Sequence, residues 1–200
     1  MRQLWVVFGV GVLLTQTACG AIIYSGPQDI LINQSYPDVG LDLDGAPPGE
    51  FVFEYIWDNG EMELTIEGWA AGGRFFACEW LGPLHGPPAR MNAGDEVRED
   101  LLWLSTKDEG LLAGFYGTWW GGRFVGEAGY VGVKFQLTDG WHYGWIGYQA
   151  ENDASEGLIT GWAFETIPDE PIEAGRVPEP ATIALLATGI TFLHRRYGYR

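Results

Sequence analysis

The segment Phe51-Val52-Phe53-Glu54-Tyr55-Ile56-Trp57, Asp58-Asn59-Gly60, Glu61-Met62-Glu63-Leu64-Thr65-Ile66-Glu67 constrains the fold more than any other part of the chain. Asn-Gly between two alternating runs is a strong hairpin signal, because both turn residues tolerate positive φ. Period 2 puts Met62, Leu64 and Ile66 on one face and Glu61, Glu63, Thr65 and Glu67 on the other, a core side and a solvent side. A chain that contains this unit builds antiparallel sheet.

The same reading extends along residues 22–175. Arg74-Phe75-Phe76-Ala77, Phe124-Val125, Tyr130–Leu137, Trp141–Tyr148 and Leu158–Thr166 read as strands, separated by turns such as Thr138-Asp139-Gly140 and Glu151–Gly157. Residues 82–100, with Pro83, Pro87 and Pro88, read as loop, and Leu101–Leu112 fits a short helix or a strand pair equally well. Thirty Gly and 11 Pro in 200 residues favour turns and short strands over long helices. The expectation is an all-β domain, an antiparallel β-sandwich of which a jelly roll is one form.

The N-terminus has the order of a secretory signal: Met1-Arg2-Gln3, an apolar run Leu4–Leu14, then small residues to Ala21. Cleavage by signal peptidase would start the mature chain near Ala21 or Ile22. The alternative is a lipoprotein signal with Cys19 as the acylated residue, against which Gln16 occupies a normally aliphatic position. Without Cys19 the mature chain keeps Cys78 alone, a small buried apolar residue rather than a nucleophile.

The C-terminus reads Val177-Pro178-Glu179-Pro180, a small and apolar run Ala181–Leu193, then His194-Arg195-Arg196 and Arg200. Pro180 suits the first turn of a helix. The run covers about 20 Å as helix, so spanning a membrane requires snorkelling arginines or local thinning, which suits a temporary anchor. These residues resemble the PEP-CTERM sorting signal of envelope proteins in exopolysaccharide-producing bacteria. The resemblance implies that Val177, Pro178, Glu179, Pro180, Arg195 and Arg196 are read by the membrane protease exosortase, and that the protein passes to the envelope or beyond. Gly129–Phe135, His142-Tyr143-Gly144-Trp145-Ile146, Trp162–Thr166 and Pro171–Gly175 are also similar to a group of PEP-CTERM proteins with such closing strands, a group that carries no activity across. Three segments result: 1–21 signal peptide, 22–175 β-domain and 176–200 sorting and anchor segment, with the terminal two expected as helices.

Charge narrows the partners. Residues 22–179 hold seven basic against 27 acidic residues, a net charge of −20, which repels nucleic acid and anionic membrane surfaces. Exposed aromatics beside acids suit sugars, since ring faces stack while polar groups take hydroxyls. Trp119, Trp120 and Trp145 are the candidate glycan contacts, and extracellular polysaccharide the candidate partner of a non-enzymatic surface or matrix protein. The competing reading is a glycan-processing enzyme on a lectin-like sandwich, with carboxylates such as Glu61, Glu63 or Glu165, although Glu61, Glu63 and Glu67 do not reproduce the spacing of sandwich glycosidases. Leu41-Asp42-Leu43-Asp44-Gly45 opens like a calcium loop, but Ala46-Pro47-Pro48 brings no third side-chain oxygen. His85, His142 and His194 are scattered, so no zinc site, catalytic triad or cofactor is expected.

Overall fold

The computed structural model describes residues 21–45, 49–68, 74–81, 84–105 and 110–178. Residues 1–20, expected to belong to a signal peptide and including Cys19, and the tail from Glu179 through Pro180, Arg195 and Arg196, lie outside the described residues. Among the described residues there is no helix, and none is long and apolar enough to cross a membrane.

Fifteen strands follow in chain order: β1 (Ile22–Tyr24), β2 (Ile30–Asn33), β3 (Asp38–Leu41), β4 (Phe51–Asp58), β5 (Glu61–Gly68), β6 (Arg74–Leu81), β7 (Leu84–Pro88), β8 (Glu96–Val97), β9 (Trp103–Ser105), β10 (Gly110–Tyr116), β11 (Trp119–Gly122), β12 (Ala128–Leu137), β13 (Gly140–Ala150), β14 (Glu156–Glu165) and β15 (Ile172–Glu173). All pairings among them are antiparallel. An eight-stranded sheet runs β1-β14-β13-β12-β6-β7, with β2 also on β14 and β9 on β6; a five-stranded sheet runs β11-β10-β5-β4-β3; β8 and β15 form a separate ribbon.

The β4–β5 hairpin forms as expected. Asn59 and Gly60 have φ of 48° and 88°, the pair of positive values a tight hairpin turn needs. Its apolar face joins a cluster fed by both large sheets: Phe53, Leu64 and Ile66 from one, Val133, Phe135, Ile146 and Tyr148 from the other. Phe53 stacks on Tyr148 at 5.6 Å between centroids.

Two bulges adjust the alternation. Register shifts between Leu111 and Ala113, which leaves Leu112 unpaired and turns both Leu112 and Ala113 into the core. On β14 the extra residue is Thr160, so Phe164 and Ile159, five positions apart, reach the same cluster. The opposite face of the eight-stranded sheet is covered in its own way: the β8–β15 ribbon brings Val97 and Ile172 over Tyr143, Trp145 and Ala163 in a second apolar cluster.

The structure corrects three local expectations. Residues 82–100 contain β7 and β8 as well as loop; Pro87 and Pro88 fit because β7 is a sheet edge, where a missing N–H costs least. Leu101–Leu112 holds β9 and the start of β10, which belong to different sheets and do not pair with each other. Phe124 and Val125 are not strand; Phe124 is fully buried and its N–H bonds to Leu112 O at 2.9 Å.

Candidate functional site

The β10–β11 hairpin carries aromatic residues in cross-strand pairs on both faces of the five-stranded sheet. Tyr116 lies opposite Trp119, and Phe115 opposite Trp120. Register fixes their sides. Phe115 aligns with Met62 and Met62 with Trp57, so Trp57, Met62, Phe115 and Trp120 form a row on the core-facing side, beyond the end of the buried cluster. Trp57 is 53% and Trp120 46% exposed there.

Tyr116 and Trp119 occupy the outer side. Their rings stack at 4.3 Å and 17°, and Trp119 is 55% exposed. The rings lie down on glycine. A Cβ on Gly121 would sit 2.9 Å from Trp119 Cζ3 and 3.1 Å from Tyr116 Cε2, and one on Gly114 would sit 3.2 Å from Tyr116 Cε2. Bare backbone at both positions is what lets the two rings form a flat shelf against the sheet.

That outer side is also the acidic side. Asp38 aligns with Glu54, Asp58 with Glu61, Ile56 with Glu63 and Val52 with Glu67, and each alternates with residues of the apolar core. All six carboxylates of the five strands therefore share the face of Tyr116 and Trp119, and the five strands contain no Lys or Arg. Near the β3 edge, Asp29, Ser35, Tyr36 and Asp38 line an open groove of about 570 Å³, with Tyr36 62% exposed.

Trp145 does not join Trp119 and Trp120. It is 3% exposed, its indole N–H donates to Arg176 O at 3.1 Å, and its ring contacts Tyr24 and Tyr130. The sequence expectation of a glycan contact at Trp145 is corrected: a covered ring has no face to offer. His142 beside it is 1% exposed, with Nδ1 against Glu165 O at 2.8 Å and Nε2 against Asp139 Oδ1 at 3.0 Å. That hydrogen bond holds the Asp139 carboxyl below the usual carboxylate range.

A second aromatic assembly was not foreseen from the sequence. On the outer face of the eight-stranded sheet the Lys134 ammonium lies 4.7 Å from the Trp141 ring centroid, 5.7 Å from Trp103, 5.8 Å from Phe75 and 6.0 Å from Tyr143. It pairs with Glu99 at 2.7 Å, and the Tyr143 hydroxyl donates to the same Glu99 oxygen. These two bonds, Lys134 first, hold the Glu99 carboxyl below its ordinary range, while burial and then Glu99 push the Tyr143 hydroxyl up. Lys134 itself is 8% exposed.

The carboxylates proposed for glycan chemistry are not gathered. Glu61, Glu63 and Glu67 share the outer face of the five-stranded sheet, whereas Glu165 is 8% exposed on β14 and accepts the Ile167 N–H at 3.1 Å. The core lies between the two sets. Cys78 is a buried free thiol, pushed up by that burial, as the sequence reading expects. Val177, the first residue of the segment expected to be a sorting motif, is 42% exposed.

Among the described residues, Asp42, Asp44 and Glu50 could hold a metal, with one oxygen from each within 4.8 Å of the others. The sequence reading missed Glu50 because it follows the loop instead of continuing its spacing. It is 2% exposed, accepts the Leu43 N–H at 2.6 Å, and is pushed up to about 7, chiefly by burial, with Asp44 and Asp42 adding to the rise and the Leu43 bond opposing it. Three oxygens are half the complement of a calcium ion. Comparison with protein-family models, with curated proteins and with solved structures finds no match to this chain.

Proposed function

We propose that this chain is an exported surface or matrix protein that associates with extracellular polysaccharide through its β10–β11 hairpin. In this reading signal peptidase removes residues 1–21, and exosortase acts on the tail that begins at Val177, which anchors the protein in the inner membrane until it is processed. The two large sheets that share one apolar cluster are the halves of a β-sandwich, and the hairpin lies at its rim.

The observation that carries the reading is the Tyr116–Trp119 shelf. Two nearly parallel rings lie on a glycine floor, and one of them is more than half exposed on a face lined with hydrogen-bond acceptors. Burying Trp119 fully would be worth about 2 to 3 kcal/mol, so leaving it in water favours a ligand whose own apolar ring face covers it. Axial C–H faces of sugars meet that description, and carboxylates accept the surrounding hydroxyls.

Binding is checked by passing the protein over glycans from the host matrix. The expected result is retention that falls at least tenfold in Trp119→Ala and less in Trp120→Ala, whose ring lies on the other side of the sheet, with the bound glycan recovered intact. Turnover of the glycan would replace this reading with the enzymatic one, and no retention on any matrix polysaccharide would remove the sugar partner. The address is tested separately by fractionating the host and taking the intact mass of the mature protein, which also decides between plain cleavage and a lipid on Cys19. An unprocessed protein in the cytoplasm would end the sorting proposal.

A further inference from the structure

We propose that the protein, while its tail still anchors it, stands with the outer face of the eight-stranded sheet toward the lipid bilayer and the Trp119 hairpin turned away from it. This inference rests on the sorting reading above and not on the sugar reading; it adds an orientation to the anchored state.

Both ends of the domain arrive at one place. At the N-terminal end the Ala21 N–H donates to Thr166 Oγ1 and the Thr166 N–H to Ala21 O, each at 3.1 Å. From there β1 runs along β14, with Ile22 and Tyr24 packed against the second apolar cluster. Tyr24 is opposite Ala163, Ala163 is opposite Trp145, and the Tyr24 and Trp145 ring centroids are 6.0 Å apart. At the C-terminal end Ile172 and Ala174 are buried in the same cluster. Ala174 O accepts the Gly94 N–H at 2.9 Å, its own N–H donates to Asp95 O at 2.8 Å, and Arg176 O accepts the Trp145 indole N–H at 3.1 Å. One indole thus touches both the entering and the departing segment.

The tether is short. From Arg176, the last residue held in this way, to Ala181, where the apolar run begins, the chain can extend at most about 18 Å. An apolar run seated in the bilayer keeps this face within that reach of the surface. The Tyr116–Trp119 shelf is on the other side of the shared apolar cluster, beyond two sheets that pack about 10 Å apart. Glu170 and Glu173 are exposed beside the departing segment and repel anionic headgroups, so the tether rather than attraction to lipid sets the orientation. A lipid on Cys19, the alternative to plain cleavage, would sit two residues before Ala21 and draw the same side to the membrane.

The test uses the protein purified with its tail intact from a host lacking exosortase and reconstituted into phosphatidylcholine–phosphatidylglycerol vesicles that carry a headgroup-linked quencher. A dye is placed on Glu173→Cys, beside the departing segment, or on Thr118→Cys, in the β10–β11 turn; both positions are exposed, and Cys78 is buried. The dye at 173 is expected to be quenched at least threefold more than the dye at 118. Inserting 40 Gly/Ser residues between Arg176 and Val177, a tether of about 35 Å on average, should bring the two within 1.5-fold of each other. Equal quenching with the native tether, or stronger quenching at 118, overturns the orientation while the anchor stands. A difference that survives the long tether overturns the tether as its cause. Failure of the protein to float with the vesicles takes down the anchor and this inference together.

Discussion

The aromatic groups on the two outer sheet faces are built from similar residues and finished differently. Around Lys134, rings from β6, β9 and β13 close on an ammonium and Glu99 caps it, so the assembly is satisfied within the chain. At Trp119, two rings on two adjacent strands stack, and Trp119 stays more than half exposed on a face that also carries six carboxylates. The first is a stability device. The second leaves an indole more than half in water, the surface that the proposed polysaccharide would cover.

If the contrast is real, substitution should separate the two. Lys134→Ala removes a nearly buried stem, its ring contacts and an ion pair whose Glu99 side is largely in water; the expected cost is about 2 kcal/mol by urea denaturation, mostly from the lost stem and ring contacts. A loss below about 1 kcal/mol would mean that the box is not structural.

The next effect is read on the pH axis. Glu99 is held low, so its contribution is present above its ordinary value of 4.5 and lost as pH falls through its depressed value. Glu50 runs the other way: raised from 4.5 to about 7, it stabilises the fold below 4.5 and loses that contribution as pH rises toward 7. Between those values stability should fall by up to roughly 1.4 kcal/mol per pH unit, and Glu50→Gln, which keeps an acceptor for the Leu43 N–H, should flatten the slope. The open shelf predicts no such slope, so Trp119→Ala should leave the pH profile unchanged in shape.

Smaller still is the cost of losing the shelf itself. Trp119→Ala should change unfolding free energy by less than about 1 kcal/mol, since more than half of the residue is in water, while abolishing most glycan retention. A large loss of stability would turn the shelf into another piece of core. Least disruptive is Gly121→Ala, where the added methyl presses on Trp119 and Tyr116. It should tilt the rings and reduce retention severalfold, with the fold intact by circular dichroism.

How much of this could be read in the sequence depends on range. Asn59-Gly60 and period 2 between Phe51 and Glu67 fix a hairpin through neighbours alone, and β12, β13 and β14 announce themselves in the same way. By contrast, β1 has three residues and is held by β14, where Ile22 faces Glu165 from the far end of the domain. No local pattern encodes that. Trp119 and Trp145 both sit in strands with Gly beside them, and what separates them is the β8–β15 ribbon, joined from segments before and after β13 to cover one face only. The Lys134 box was illegible for the same reason, its four rings being spread from Phe75 to Tyr143. The acidic row on β5 was legible; that Asp38, Glu54 and Asp58 fall on the same side required the registers of three strands.

The edge position of β11 has a colloidal consequence. Among the described residues Trp119–Gly122 is paired on one flank only, with an exposed indole above and another below, which is the geometry from which strands of separate molecules add to one another. The carboxylates on the outer face are then a repulsive coat that keeps copies apart wherever they are ionised. Acidification or high salt thins that coat, so the protein should remain dispersed at neutral pH and low salt and gather into assemblies where the medium turns acidic.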